Sequence, residues 1–156
     1  MPHALTVGSP APDFELPASG GGSISLASLK GKAVALYFYP KDDTSGCTKE
    51  AIDFNRLKGD FEAAGAVVVG VSPDSVASHD KFRAKHGLGF DLAADEEKSM
   101  LEAYGVWREK SMYGKNFMGV ARTTVLIDRD GNIAKVWEKV KVDGHADAVL
   151  AAVRAL

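Results

Sequence analysis

Two stretches of the chain are apolar without alternation: residues 33–39 (AVALYFY) and 66–71 (AVVVGV). Runs apolar on both faces suit central strands of a sheet covered on both sides by helices. Between them Ala51, Phe54, Leu57, Phe61 and Ala64 recur on one helical stripe. Strand, helix, strand at this spacing is a βαβ unit, which should cross over right-handed. Ser72-Pro73-Asp74-Ser75 then reads as a turn and helix cap, followed by a weaker helix over about 76–86 and a short strand over 90–93. Asp95 is placed to cap a short helix with Glu96 and Glu97 in its first turn, and Gly105 to end it. Residues 123–127 (TTVLI) and 133–137 (IAKVW) flank Asp128-Arg129-Asp130-Gly131-Asn132, a strong hairpin signal. A last helix from about residue 143 to the end presents Ala146, Val149, Leu150, Val153 and Leu156 to the core. Gly20-Gly21-Gly22 is a hairpin connection; its spacing does not match a phosphate or dinucleotide loop.

These elements predict an α/β chain: a mixed central β-sheet flanked by helices on both faces, the thioredoxin-like arrangement. Periodicity does not order the strands. The 156 residues fit one domain, 1–156, long enough to bury a core without metal or disulfide staples. The net charge of -2 supplies no basic surplus, so neither nucleic acid nor an anionic membrane surface is expected as a partner. The start lacks a basic segment followed by an apolar one, and no apolar run approaches a membrane span. A cytoplasmic protein is expected.

The composition includes one cysteine, Cys47, so redox chemistry within the chain must use a single thiol. It follows the first apolar strand, in Tyr39-Pro40-Lys41-Asp42-Asp43-Thr44-Ser45-Gly46-Cys47, where the next helix opens. In open α/β sheets reactive groups gather at the carboxyl ends of central strands. Unpaired backbone N–H groups and the helix dipole at such a start favour a thiolate. Thr44 can offer a hydroxyl to the sulfur or an incoming oxygen, Pro40 stiffens the loop, and Gly46 lets the backbone approach a small substrate. Glu50, one turn on, would oppose the thiolate alone, so it pairs with a cation or caps the turn. On these grounds alone, Thr44 and Ser45 capping a helix with Cys47 packed behind them is an equal alternative.

Pro40-x-x-x-Thr44-x-x-Cys47 matches the active-site motif of peroxiredoxins. The segment YFYPKDDTSGCTKEA resembles the peroxiredoxin Q, or bacterioferritin comigratory protein, branch. Five blocks along the chain resemble that branch in the same order: GSPAPDFELP, LKGKAVALYFYPKD, VVVGVSPDSVASHDKF, YGVWREKSMYGK and GVARTTVLIDRDGNI. The resemblance implies a thiol-dependent peroxidase of antioxidant defence, acting on hydrogen peroxide and organic hydroperoxides without metal or organic cofactor. It implies Cys47 as the peroxidatic nucleophile, with Pro40, Thr44 and Arg122 completing its pocket. Read without the resemblance, Arg122 is equally a surface cation at the start of a strand. Attack on the peroxide leaves Cys47 as sulfenic acid.

The chain departs from the branch in three places. The resolving cysteine often found five residues after the first is Ile52 here, and none stands around residues 82–85. The proline usual before the glycine is Ser45. The chain therefore resembles a one-cysteine variant, recycled by an external thiol such as thioredoxin or glutaredoxin with glutathione, as a monomer or homodimer.

Other residues carry blander expectations. His3, His79, His86 and His145 are scattered and read as surface histidines, with no metal site. Asp42 and Asp43 read as a solvated turn, and Lys135, Lys139 and Lys141 as a solvated edge. Tyr104, Trp107, Tyr113 and Phe117 either wall the pocket, form a partner surface, or pack in the core and its rim. A thiol–disulfide oxidoreductase would need a Cys-x-x-Cys pair, and Thr44 holds the first position. A non-enzymatic redox sensor would share the fold and react once.

Overall fold

The unbroken apolar run at residues 33–38 is buried at every position. The computed structural model describes residues 5–156, so His3 lies outside the described residues. The strands are β1 (Glu15–Pro17), β2 (Ser23–Ser25), β3 (Ala33–Phe38), β4 (Ala66–Ser72), β5 (Asp91–Ala94), β6 (Trp107–Met112), β7 (Lys115–Val120), β8 (Thr123–Ile127) and β9 (Ile133–Trp137). The helices are α1 (Ser45–Arg56), α2 (Lys58–Ala63), α3 (Val76–His86), α4 (Ser99–Ala103) and α5 (His145–Arg154).

Five strands form the central sheet in the order β5-β4-β3-β8-β9. β3, β4 and β5 are parallel, while β8 and β9 run antiparallel beside them, so the sheet is mixed and β3 is its middle strand. Side-chain alternation divides β3 between two cores. Ala33, Ala35, Tyr37 and Tyr39 pack with Phe54, Phe61, Phe82 and Val149 from the helices on one face. Val34, Leu36 and Phe38 pack with Met100, Leu101 and Tyr104 around α4 and with Leu16 and Ile24 of the β1–β2 hairpin on the other. Helices therefore cover both faces of a thioredoxin-like sheet, as the sequence pattern predicts.

Tyr37 shows how tightly the first core is built. Its ring stacks on Phe54 at 4.7 Å and on Tyr39 at 5.4 Å between centroids. It lies against Gly70 of β4, where a Cβ would come within 2.9 Å of the ring and hydroxyl. Backbone approach of this kind is what glycine in a strand supplies.

Three sequence expectations need adjustment, and one element lies outside them. The stripe from Ala51 to Ala64 is two helices, broken at Leu57, although Ala51, Phe54, Leu57 and Phe61 are all buried as expected. α4 begins only at Ser99; Glu96 and Glu97 precede it, and Asp95 acts as a brace by accepting from the Leu101 N–H at 2.8 Å. α5 begins at His145, and Leu156 is exposed. Residues 107–120 form a separate two-stranded hairpin, β6–β7, that joins no other sheet. Among the described residues no helix is long and apolar enough to cross a membrane.

Candidate active site

β3 ends at Phe38, the loop after it carries Pro40 and Thr44, and α1 opens at Ser45. Tyr39 makes the last ladder bond, donating its N–H to the Val71 carbonyl at 3.0 Å. Pro40 follows with no N–H to give, so the ladder stops there. Asp43 is left-handed at φ 60°, a conformation aspartate tolerates better than most side chains, and Thr44 is extended at φ -94°. This turn seats Cys47 in the first turn of α1, where helical N–H groups have no partner within the helix.

Arg122 reaches the same point from the neighbouring strand. β8 runs antiparallel to β3, with Thr123 opposite Phe38, so the residue before Thr123 arrives beside the end of β3. The Arg122 Nη2 donates to the Cys47 sulfur at 3.1 Å, and Nη1 donates to Glu50 Oε1 at 2.6 Å. Both partners project from one helical face, because Cys47 and Glu50 are three residues apart. Gly46 lies against the guanidinium: a Cβ there would stand 3.4 Å from Nη2, at the edge of ordinary contact. Glu50 thus pairs with a cation, the first of its two sequence expectations.

The electrostatics follow from burial. Cys47 is 1% exposed and Glu50 is 1% exposed. Burial pushes the Glu50 carboxyl up to about 7, against the pull of Arg122. Burial also works against the charge on Arg122, but Glu50 and the Cys47 sulfur outweigh it and hold the guanidinium above its ordinary value. Glu50 is therefore the titrating member of the pair, and Arg122 stays charged.

Thr44 differs from the sequence expectation. Its hydroxyl donates to the Lys41 carbonyl at 2.8 Å rather than to the sulfur, which leaves the oxygen lone pairs free to accept. Ile52, at the usual resolving position, is 45% exposed, whereas Phe82 on α3 is buried.

Two histidines and one aspartate overturn the expectation of surface positions. His79 is fully buried, and Asp42 is buried with it. Asp42 accepts from the Tyr39 hydroxyl at 2.6 Å and the Ser78 hydroxyl at 2.8 Å, and meets His79 Nδ1 at 2.7 Å. His79 Nε2 faces the Ala93 carbonyl at 2.9 Å. Asp74 accepts from the Asp42 N–H at 2.8 Å and the Ser72 hydroxyl at 2.7 Å. Carboxylates do cluster beside a histidine here, and both Asp42 oxygens and Asp74 Oδ2 accept from or meet protein groups. Adjacent aspartates in a loop carry no pattern that shows which one turns inward, and here it is Asp42. Asp43 does stay outside, paired with Lys85 at 2.8 Å and with His86 at 3.2 Å. His145 is also buried; its Nε2 meets the Thr124 hydroxyl at 2.7 Å. Burial, and then the charge on Arg122, push it down to about 4.

Comparison with known proteins agrees with this geometry. The AhpC/TSA family model matches residues 7–136. A putative peroxiredoxin bcp of Coxiella burnetii is 50% identical over 147 residues, covering 94% of this chain and 97% of the relative. Peroxiredoxin Bcp of Xanthomonas campestris is 49% identical over 94% of this chain and 92% of its own length. The solved Xanthomonas campestris bacterioferritin comigratory protein, studied for alkyl peroxide reduction, superposes with a TM-score of 0.90 at 45% identity, covering 96% of this chain and 98% of that one. A mutant of Xylella fastidiosa peroxiredoxin Q superposes at 0.93 with 38% identity, covering 98% of each chain. A sheet of this topology, a cysteine at the opening of α1 and full-length relatives of one kind lead to one assignment: the chain belongs to the AhpC/TSA family, among its Bcp-type (peroxiredoxin Q) members, and is a thiol-dependent peroxidase.

Proposed function

We propose that Cys47 is the nucleophile of this peroxidase, and that Pro40, Thr44 and Arg122 form its pocket. The observation that carries the reading is the guanidinium shared between the Cys47 sulfur and Glu50. The thiolate attacks one peroxide oxygen in line with the O–O bond, the S–O bond forms as the O–O bond breaks, and the departing oxygen leaves as water or an alcohol once protonated. Arg122 offers donors to the sulfur and to the oxygen on which negative charge grows. The free lone pairs of Thr44 accept the peroxide O–H, which holds that hydroxyl oxygen in line with the sulfur and turns the other oxygen outward as the leaving group. Pro40 keeps a competing N–H away from the loop.

Hydrogen peroxide and organic hydroperoxides both fit a reaction that touches only the two oxygens. The product at Cys47 is a sulfenic acid. An external thiol (a thioredoxin, a glutaredoxin with glutathione, or a small dithiol) condenses with it, releases water, and gives a mixed disulfide that a second thiol reduces. One domain, residues 1–156, suffices for this cycle. The working state is a monomer or homodimer, in the cytoplasm, where such reductants are kept. Peroxide consumption with each donor, for the parent and for Cys47→Ser, tests the reading. Multiple turnovers by the parent and none by the variant are expected; a single equivalent consumed with every donor would leave only a one-shot sensor.

A further inference from the structure

Counting charge in the pocket leaves a deficit. With Cys47 as thiolate and Glu50 as carboxylate, two buried negative charges face the single positive charge of Arg122. The β6–β7 hairpin, which leads directly into Arg122, carries a cation with no partner of its own among the described residues. Its register pairs Lys110 with Phe117 and Arg108 with Gly119, so Arg108, Lys110, Phe117 and Gly119 share one face. The stem of Lys110 lies diagonally across Gly119, where a Cβ would stand 3.2 Å from Cδ and 3.4 Å from Cε. Glycine at 119 is what lets the side chain lie flat toward the base of the hairpin. The chain leaves that base at Val120 and reaches Arg122 two residues later.

The ammonium itself is uncommitted. Among the described residues no carboxylate lies within salt-bridge distance of Lys110 and no acceptor takes a hydrogen bond from it, whereas Lys49, Lys58 and Lys85 each hold a carboxylate. Arg108 on the same face is already engaged by Glu138 and the Gly105 carbonyl. Glu109 projects from the opposite face. Burial lowers the Lys110 ammonium from its ordinary value; the charge of Arg122 pushes the same way and that of Cys47 the opposite way, as for a cation within range of both.

Resting on Cys47 as the nucleophile, we propose that Lys110 is a second cation of the pocket and a specificity-determining residue, which favours anionic over neutral reactants at the sulfur. The charge of Arg122 is already offset by Glu50 and the sulfur; its remaining N–H groups can serve the reacting oxygen, but it adds little net pull on an approaching anion. Lys110 is free to attract one, and its place on a half-buried hairpin face spares it full solvent screening.

Two alkylating reagents of nearly equal size, iodoacetate and iodoacetamide, read the charge preference directly. Second-order rates at Cys47 are measured for the parent, Lys110→Met and Lys110→Arg, at low and high salt. The iodoacetate-to-iodoacetamide ratio is expected to fall about threefold to tenfold in Lys110→Met, to recover in Lys110→Arg, and to shrink with salt in the parent. A loosened structure would change both rates together and leave the ratio alone. An equal ratio in all three proteins overturns the role of Lys110 while keeping Cys47 as nucleophile. Failure of Cys47 to react with either reagent in the parent overturns both.

Discussion

Glu50 accepts from Arg122 through Oε1 at 2.6 Å, while its other oxygen, Oε2, is buried with no hydrogen-bond partner among the described residues. Half of the carboxylate is served and half is not. A buried, unpartnered carboxylate oxygen is costly when charged. This explains why burial outweighs a guanidinium at hydrogen-bond distance and leaves the group near 7.

A stability prediction follows, with a definite sign. The folded state holds the Glu50 proton more tightly than the unfolded chain, whose ordinary value is 4.5. The stabilisation is complete below that value and is lost as pH rises through about 7. The total is bounded by about 3 kcal/mol. Glu50→Gln has no proton to lose, so its melting temperature relative to the parent should climb between pH 5 and pH 8. His145 works in the other direction: pushed down to about 4, it stabilises the fold above its ordinary 6.5 and that contribution fades as pH falls. Thermal unfolding of both proteins across this range checks the point. A difference that stays flat with pH would rule out titration of Glu50 in the folded state.

Arg122 should matter to rate more than to folding. Replacing it with Ala removes both the donor to the sulfur and the charge that answers the developing oxyanion. Loss of one such donor typically costs about 100-fold to 1,000-fold in rate. Arg122→Lys keeps the charge but cannot span Glu50 and Cys47 with two nitrogens, so it should recover only part of the loss. Stopped-flow peroxide consumption at about pH 6, where Glu50 without its partner can hold a proton, measures the chemistry rather than the fold. A fully active Arg122→Ala variant would remove the residue from the pocket.

Two adjacent aspartates tie the loop before Cys47 to α3 by different means. Asp42 is buried among Tyr39, Ser78 and His79, while Asp43 makes solvent-exposed pairs with Lys85 and His86. Breaking the buried set should cost about 2–4 kcal/mol in either Asp42→Asn or His79→Leu, because the remaining partners stay inside without their hydrogen bonds. Asp43→Asn should leave global stability nearly unchanged, since exposed pairs contribute little. It should still speed amide exchange in residues 43–48 by freeing the loop from Lys85 and His86 on α3, since asparagine keeps the left-handed turn. Urea titrations and hydrogen exchange on the same variants separate the two aspartates. Equal stability losses from Asp42 and Asp43 would contradict the division.

The central strands were legible because burial on both faces leaves an unbroken apolar run. The β8–β9 hairpin was legible because Asp-Gly-Asn chemistry marks its turn. The pocket residues came from a motif with fixed spacing, joined to Arg122 through resemblance. β6–β7 was not anticipated. Its strands carry charges and aromatics in no clean alternation, and its turn, with Tyr113 and Gly114 both at positive φ, puts a tyrosine where asparagine is the usual signal. The buried polar set around Asp42 was missed for a different reason. It joins residues 32 to 37 apart in the chain, and no local pattern reports a contact at that distance.

Recycling of Cys47 is the step this chain cannot complete alone. The sequence holds one cysteine, Ile52 occupies the usual resolving position, and Phe82 on α3 is buried in the core. After attack on peroxide the sulfenic acid therefore finds no thiol of its own chain. Three fates remain: condensation with an external thiol, a disulfide with Cys47 of another copy, or further oxidation to sulfinic acid. The second requires two sulfurs to meet, yet Cys47 is only 1% exposed in the first turn of a folded α1, so local opening must come first. A small external thiol needs less opening and should dominate. Stoichiometric peroxide alone should add one oxygen to the intact mass, then a second as peroxide rises, without an intramolecular disulfide. A donor thiol supplied in time should convert the first species to a mixed disulfide at Cys47 and restore peroxide consumption. Intact-mass spectrometry with and without the donor follows each species. A disulfide-linked dimer as the main product at low protein concentration would show that the second copy, not the external thiol, is the partner.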